Sequence, residues 1–182
     1  LGLIGQETSK ALYQLGGNIF VLDNNFPKKF KNKGHFKKNG INFISFDCSN
    51  LSSLEKSFET ILAKYGCPDI FINSSYPRSN DWPKNSFTEI KLKSLRKNIE
   101  SNLVSQSWLA KISAEKMAKH KSKNSDKSII FIGSIYGLLG QDLSVYKNTK
   151  MRENMTYSII KGGITNLTRQ MASYYGKYNI RV

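Results

Sequence analysis

Tyr157 and Lys161 stand four residues apart in the run Tyr157-Ser158-Ile159-Ile160-Lys161-Gly162-Gly163, and on a helix that spacing puts both on one face. A free phenol, with a pKa near 10, exchanges protons poorly at neutral pH. A cation held beside it stabilises the phenolate and brings the proton into the working range. The pair is therefore a device for giving a proton to, or taking one from, a substrate oxygen. Ser134, which closes the apolar run Ile129-Ile130-Phe131-Ile132-Gly133, offers a hydroxyl to hold that same oxygen. The spacing alone also fits a packed tyrosine with a lysine snorkelling past it, so the elements around it carry the distinction.

Apolar runs of strand length end at Asp23 (from Asn18), Asp47 (from Ile41), Asn73 (from Asp69) and Ser134 (from Ser128). Between them lie helical patterns. Gly5 to Leu15 stops at Gly16-Gly17. Asn50 to Tyr65 carries a stripe of Leu51, Leu54, Phe58, Ile61, Leu62 and Tyr65. Thr88 to His120 reads as one long helix, and Thr156 to Tyr175 as another. Strands alternating with helices imply a parallel sheet with helices on both faces in a single domain.

Gly2-Leu3-Ile4-Gly5 matches the last two glycines of a dinucleotide fingerprint. There the backbone approaches the pyrophosphate and a helix N-terminus faces it. Asp23 follows 21 residues after Gly2, at the end of the next apolar run. A carboxylate there accepts hydrogen bonds from ribose hydroxyls and repels a 2′-phosphate, which favours NAD(H) over NADP(H). Lys28 and Lys29 weigh against that preference. Asp23 also suits a turn, and both roles can hold together.

In this order the elements resemble the short-chain dehydrogenase/reductase family over essentially the whole chain. The resemblance implies a doubly wound, Rossmann-like α/β sheet and hydride transfer between the cofactor and a secondary alcohol or ketone. It implies that Tyr157 moves the proton, Lys161 lowers the phenol pKa and binds the nicotinamide ribose, and Ser134 orients the oxygen. Asn102 matches the fourth catalytic position, where it would open the long helix and hold a water in a relay to Lys161. Asn98 competes for that role, and a solvent-facing Asn102 is the other reading. Asp47 and Cys48 match the adenine contacts, although Asp47 also suits a turn. Asn73 matches the residue that ties neighbouring strands. Asn73-Ser74-Ser75-Tyr76 departs from the usual Asn-Asn-Ala-Gly, with Tyr76 in place of a glycine. Tyr76-Pro77-Arg78 is similar to a subgroup associated with flagellin modification and surface-polysaccharide sugar synthesis. Tyr76 is then a sugar-stacking platform, Arg78 a clamp for carboxylate or phosphate, and Tyr136 a further substrate contact.

Ser134 and Tyr157 are 23 residues apart, and the polar, aromatic segment between them suits a hydroxyl-rich ligand. A sugar or nucleotide sugar in a glycan pathway is the expected substrate. A non-sugar carbonyl, such as an acyl-carrier substrate, and a non-catalytic basic binding protein remain the alternatives. The chain reads as cut at both ends, without the first strand and much of the substrate pocket. The sheet should accordingly be interrupted between the strands ending at Asp23 and Asn73, with Leu1 beside the gap. The resemblance also implies a homo-dimer or homo-tetramer through the helices at Thr88–His120 and Thr156–Tyr175.

A net charge of +15 invites polyanion binding, but 23 of the 28 basic residues are lysine and 5 arginine. The dense stretches Lys28 to Lys38 and Lys116 to Lys127 fall where loops or helix ends are expected, so they read as solvated surface rather than a specific nucleic-acid site. No apolar run reaches the roughly 18 residues of a membrane span. Cys48 and Cys67 match neither a disulfide framework nor a metal set, and a reducing cytoplasm is the natural reading. No metal ligand set is expected, and His35 and His120 read as exposed.

Overall fold

A computed structural model describes residues 2–25, 35–120 and 126–182. Its elements are α1 (Leu3–Gln14), β1 (Phe20–Asp23), β2 (His35–Lys38), β3 (Ile41–Ser45), α2 (Leu54–Tyr65), β4 (Ile70–Asn73), α3 (Leu92–Ile99), α4 (Ser105–Lys119), β5 (Lys127–Phe131), α5 (Met155–Tyr175) and β6 (Ile180–Arg181). The architecture is Rossmann-like α/β. Strand β1 pairs in parallel with β3, and β5 pairs in parallel with both β4 and β6. Among the described residues the strands form two ladders, ordered β1-β3-β2 and β4-β5-β6. The expected interruption thus falls between β1 and β4. Leu1, expected beside it, lies outside the described residues, as do Lys28 and Lys29.

Two apolar cores hold the half-sheets together. Leu22 of β1 and Phe71 of β4 both pack on a cluster of Phe46, Leu54, Phe58, Leu62, Leu109 and Ile112, so α2 and α4 bridge the interruption. Ile129, Ile180, Ala110, Ala114, Met117 and Met171 form a second cluster between α4, α5 and the strands. Side chains alternate along a strand: Ile129 is buried, and its neighbour Ile130 is 43% exposed. Helix α1 buries no residue.

Three expectations are corrected. The tail of the Lys28–Lys38 stretch is not a loop: His35–Lys38 is a strand antiparallel to β3. Asn39 (φ 49°) and Gly40 (φ 80°) make the tight turn, both with positive φ, which matches the twist of a two-residue hairpin. The 88–120 stretch is not one helix. It begins at Leu92 and opens into a π-helical turn at Glu100–Val104 before continuing as α4. Lys127 is not solvated surface. It is buried, and its ammonium donates to the carbonyls of Met117 and His120 at the C-terminal end of α4, where cations stabilise a helix.

Gly40 is held twice over, by its φ and by the Tyr13 ring, whose hydroxyl would lie 2.0 Å from an added Cβ. Gly40→Ala should therefore cost about 1 kcal/mol or more of stability, read as a lower urea midpoint. An unchanged midpoint would contradict the hairpin.

Candidate active site

The first turn of α5 carries Tyr157 and is capped from outside the helix. Asn154 Oδ1 accepts the Tyr157 amide at 2.9 Å and the Thr156 hydroxyl at 2.8 Å, and the Met155 amide donates to the Asn85 carbonyl at 2.9 Å. One turn on, Lys161 is buried, and its ammonium donates to the Ile132 carbonyl just past β5. It also lies 5.1 Å from the Tyr76 ring centre and 5.7 Å from that of Tyr157. Burial lowers the Lys161 pKa. The carbonyl and the two π faces are what hold the charge there.

Ser134 opens a 3₁₀ turn at Ile135–Gly137, and its Oγ accepts the Tyr136 amide at 3.2 Å. That turn lies directly on α5: a Cβ on Gly137 would stand 2.6 Å from the Lys161 carbonyl oxygen. The Tyr136 ring is 6.5 Å from that of Tyr157. Thus Ser134, from the turn after β5, and the α5 pair Tyr157 and Lys161 come to one end of β5 from two separate stretches.

Asn102 sits in the π-helical turn and is wholly buried, which removes the solvent-facing reading. Its Nδ2 donates to the carbonyls of Pro77 and Asn98, both at 3.0 Å, while its Oδ1 is buried with no partner. Asn98, the competitor, spends its amide on Ser79 Oγ and the Ser94 carbonyl, both at 2.9 Å. Tyr76 does not stand open as a platform. Its hydroxyl is buried without a partner, burial pushes its pKa up, and its ring packs edge-on against Tyr157 at 5.5 Å and Trp82 at 5.3 Å. Arg78 is exposed and lies over the Trp82 ring at 5.9 Å.

At the other end, Gly2 caps α1 and an added Cβ there would meet nothing within 4 Å, whereas one on Gly5 would meet Ser74 Oγ at 3.0 Å. The exposed first turn at Leu3 and Ile4 leaves its amides open toward an anion. Asp23 ends β1 and its Oδ1 accepts the Asn25 amide at 2.7 Å. Asp47 accepts the Ser49 amide and hydroxyl, at 2.9 and 2.6 Å, so its turn-forming role is real. Cys48 lies 3.7 Å from Ser75 Oγ, and burial raises its pKa. Asn73 does not span neighbouring strands through its side-chain oxygen. That atom takes the Ser75 amide and hydroxyl in a local turn, at 3.1 and 2.8 Å.

Two residues near Tyr157 were not expected. Trp82 has its ring 6.4 Å from that of Tyr157. Tyr146 donates its hydroxyl to that of Tyr136 at 2.8 Å, a bond that raises its own pKa. Tyr146 also borders a depression of about 410 Å³ shared with Leu143, Lys147, Met151 and Glu153. Only the aromatic richness of the segments 76–82 and 136–146 marks them in the sequence. No group of three His, Cys, Asp or Glu residues suited to a metal occurs among the described residues, and no described helix is long and apolar enough to cross a membrane.

The sequence profile of the short chain dehydrogenase family matches residues 2–182. Post-translational flagellin modification protein A of Campylobacter coli is 29% identical over 185 residues, covering all of this chain and 70% of that protein. The NADH-dependent L-xylulose reductase of Ambrosiozyma monospora is 20% identical over 192 residues, covering all of this chain and 66% of that protein. A short chain dehydrogenase from Leptospira borgpetersenii, solved with bound NAD+, superposes with a TM-score of 0.78 at 23% identity. That match covers 100% of this chain and 65% of the other.

The Lys161 charge predicts a pH signature. Its folded pKa lies below the unfolded value of about 10.4, so in the window between them the unfolded chain binds more protons and stability rises with pH. The stability of wild type minus that of Lys161→Met, from urea melts, should increase on approaching that value. A difference that stays flat as the pH rises toward about 10.4 would contradict desolvation of the ammonium.

Proposed function

The chain belongs to the short-chain dehydrogenase family and is an NAD(P)-dependent oxidoreductase; from that premise we propose that it moves a hydride at a secondary alcohol or ketone carbon of a sugar or nucleotide sugar in glycan biosynthesis. One observation carries the chemistry: a phenol and a buried ammonium share a helix face beside a serine turn. Two relatives support the substrate class, one a flagellin modification protein and one a reductase of a keto sugar.

The residues at the β1 end fit a dinucleotide. The open first turn of α1, from Gly2 to Gly5, would take the pyrophosphate, and the close approach of Ser74 explains the hydrogen at Gly5. Asp23 would accept the ribose hydroxyls, which favours NAD(H), and Asp47, Cys48 and Asn73 would line the adenine side. When bound, the cofactor supplies the hydride chemistry.

The chain's own groups handle the proton. Lys161 stabilises negative charge on the Tyr157 oxygen, so the phenol can donate to and accept from a substrate oxygen. Ser134 Oγ already accepts from the Tyr136 amide, which leaves its own hydrogen for that same oxygen. Asn102 presents a buried, unpartnered acceptor that an ordered water would satisfy, linking Lys161 to solvent. Trp82, with Arg78 over its ring, and Tyr136 flank Tyr157 beside the packed Tyr76, and aromatic faces of that kind suit a ring bearing hydroxyls.

Tyr157→Phe removes the hydroxyl that exchanges the proton and keeps the ring. With NADH and L-xylulose as the test ketone, turnover should fall about 10²–10⁴-fold, while NADH binding by fluorescence titration is retained. Equal loss of binding and turnover would take Tyr157 out of the proton step.

A further inference from the structure

Ser94, Asn98, Asn102 and Gln106 are all buried and stand four residues apart along α3, the π-helical turn and α4. Each reaches an alternate residue of the segment 75–81, whose last residues close a turn from Ser79 to Trp82. Gln106 Nε2 donates to the Ser75 carbonyl at 3.0 Å, Asn102 Nδ2 to the Pro77 carbonyl at 3.0 Å, Asn98 Nδ2 to Ser79 Oγ at 2.9 Å, and Ser94 Oγ to Asp81 Oδ1 at 3.0 Å. Hydrogen bonds from Ser79 and Ser94 hold the Asp81 carboxyl below its usual range. Four helical residues rise about 6 Å, and two extended residues span about 6.5 Å. The two repeats match, so the segment runs antiparallel along the helix and spends one odd-numbered residue per turn.

Neighbours in an extended chain point opposite ways. The helix holds this segment by the backbone at Ser75 and Pro77 and by the side chains of Ser79 and Asp81. Tyr76 and, past the bend, Trp82 pack on each other and on Tyr157, and Arg78 lies over the Trp82 ring. A slip of one residue would hand the site Ser75, Pro77 and Ser79 instead. Apolar contacts tolerate such a slip, whereas directional bonds from buried donors do not.

We infer that Ser94, Asn98 and Gln106 are positioning residues for the substrate: they lock the register of residues 75–81 and so seat Trp82 beside Tyr157, where its ring selects the ligand. The substrate part rests on the oxidoreductase reading; the register part does not. Gln106→Met and Ser79→Ala each remove one rung with little change of volume. The chain has two tryptophans, so in a Trp108→Phe background Trp82 is the only indole.

Either rung variant in that background should raise the acrylamide quenching constant of Trp82 about two-fold while a single cooperative melt persists. At saturating NADH each should raise KM for L-xylulose about five-fold, with kcat within about two-fold. Trp82→Ala should give a similar KM, and adding Gln106→Met to it should change little, because the two act as one device. Unchanged quenching in both rung variants would overturn the register. Additive effects of Gln106→Met and Trp82→Ala would overturn the role of Trp82. If the parent chain binds NADH but reduces no ketone offered, the oxidoreductase reading and the Trp82 selection role fail together, and the quenching result decides the register by itself.

Discussion

A buried ammonium must be answered by nearby electron density, and the site is built around that demand. Lys161 enters the protein from α5 and finds the Ile132 carbonyl just past the end of β5. That bond fixes the second turn of the helix to the end of the strand. Ser134 lies two residues beyond Ile132, so the hydroxyl is delivered to the same place. The Gly137 backbone then closes against the Lys161 carbonyl, where a side chain would not fit. Two aromatic rings complete the shell around the charge. The cost of desolvating a cation is thus met by the groups that would face a substrate.

The opposite wall is held by hydrogen bonds from buried amides and a hydroxyl, one of them to the Asp81 carboxylate. Here the π-helical turn matters, because it places Asn102 on the stripe with a spare buried oxygen. The chain between Ser134 and Tyr157 is pinned by a third set of contacts. Tyr146 bonds to Tyr136, Gln141 accepts the Asn154 amide, and Arg152 pairs with Glu89. Long loops therefore frame the site, yet each is tied to a helix or to another loop by at least one directional bond.

The residues proposed for the chemistry were legible by type and spacing, as a phenol and a cation one turn apart with a serine after a buried strand, and the fold brings them to one end of β5. The strands β1, β3, β4 and β5 were legible as short apolar runs. What escaped has identifiable causes. The β2 hairpin was masked by lysines, although Asn39-Gly40 is a direct signal for it. Apolar periodicity from Thr88 to His120 does not register an extra residue in one turn, and the opening at Asn102 was legible only through the family resemblance. Lys127 looked like surface because its burial depends on carbonyls at the end of another element. Trp82 carried no signal, since its place comes from a register set by residues 12 to 24 positions further along the chain.

The most direct measurement is a structure of the chain with NADH and a ketone bound. Convergence of Tyr157, Lys161 and Ser134 on one reacting centre predicts the nicotinamide over that end of β5. The ketone oxygen should lie within about 3.5 Å of both the Tyr157 and Ser134 hydroxyls. A dinucleotide seated with its nicotinamide away from Tyr157, or a ketone reached by only one of the two hydroxyls, would contradict the account.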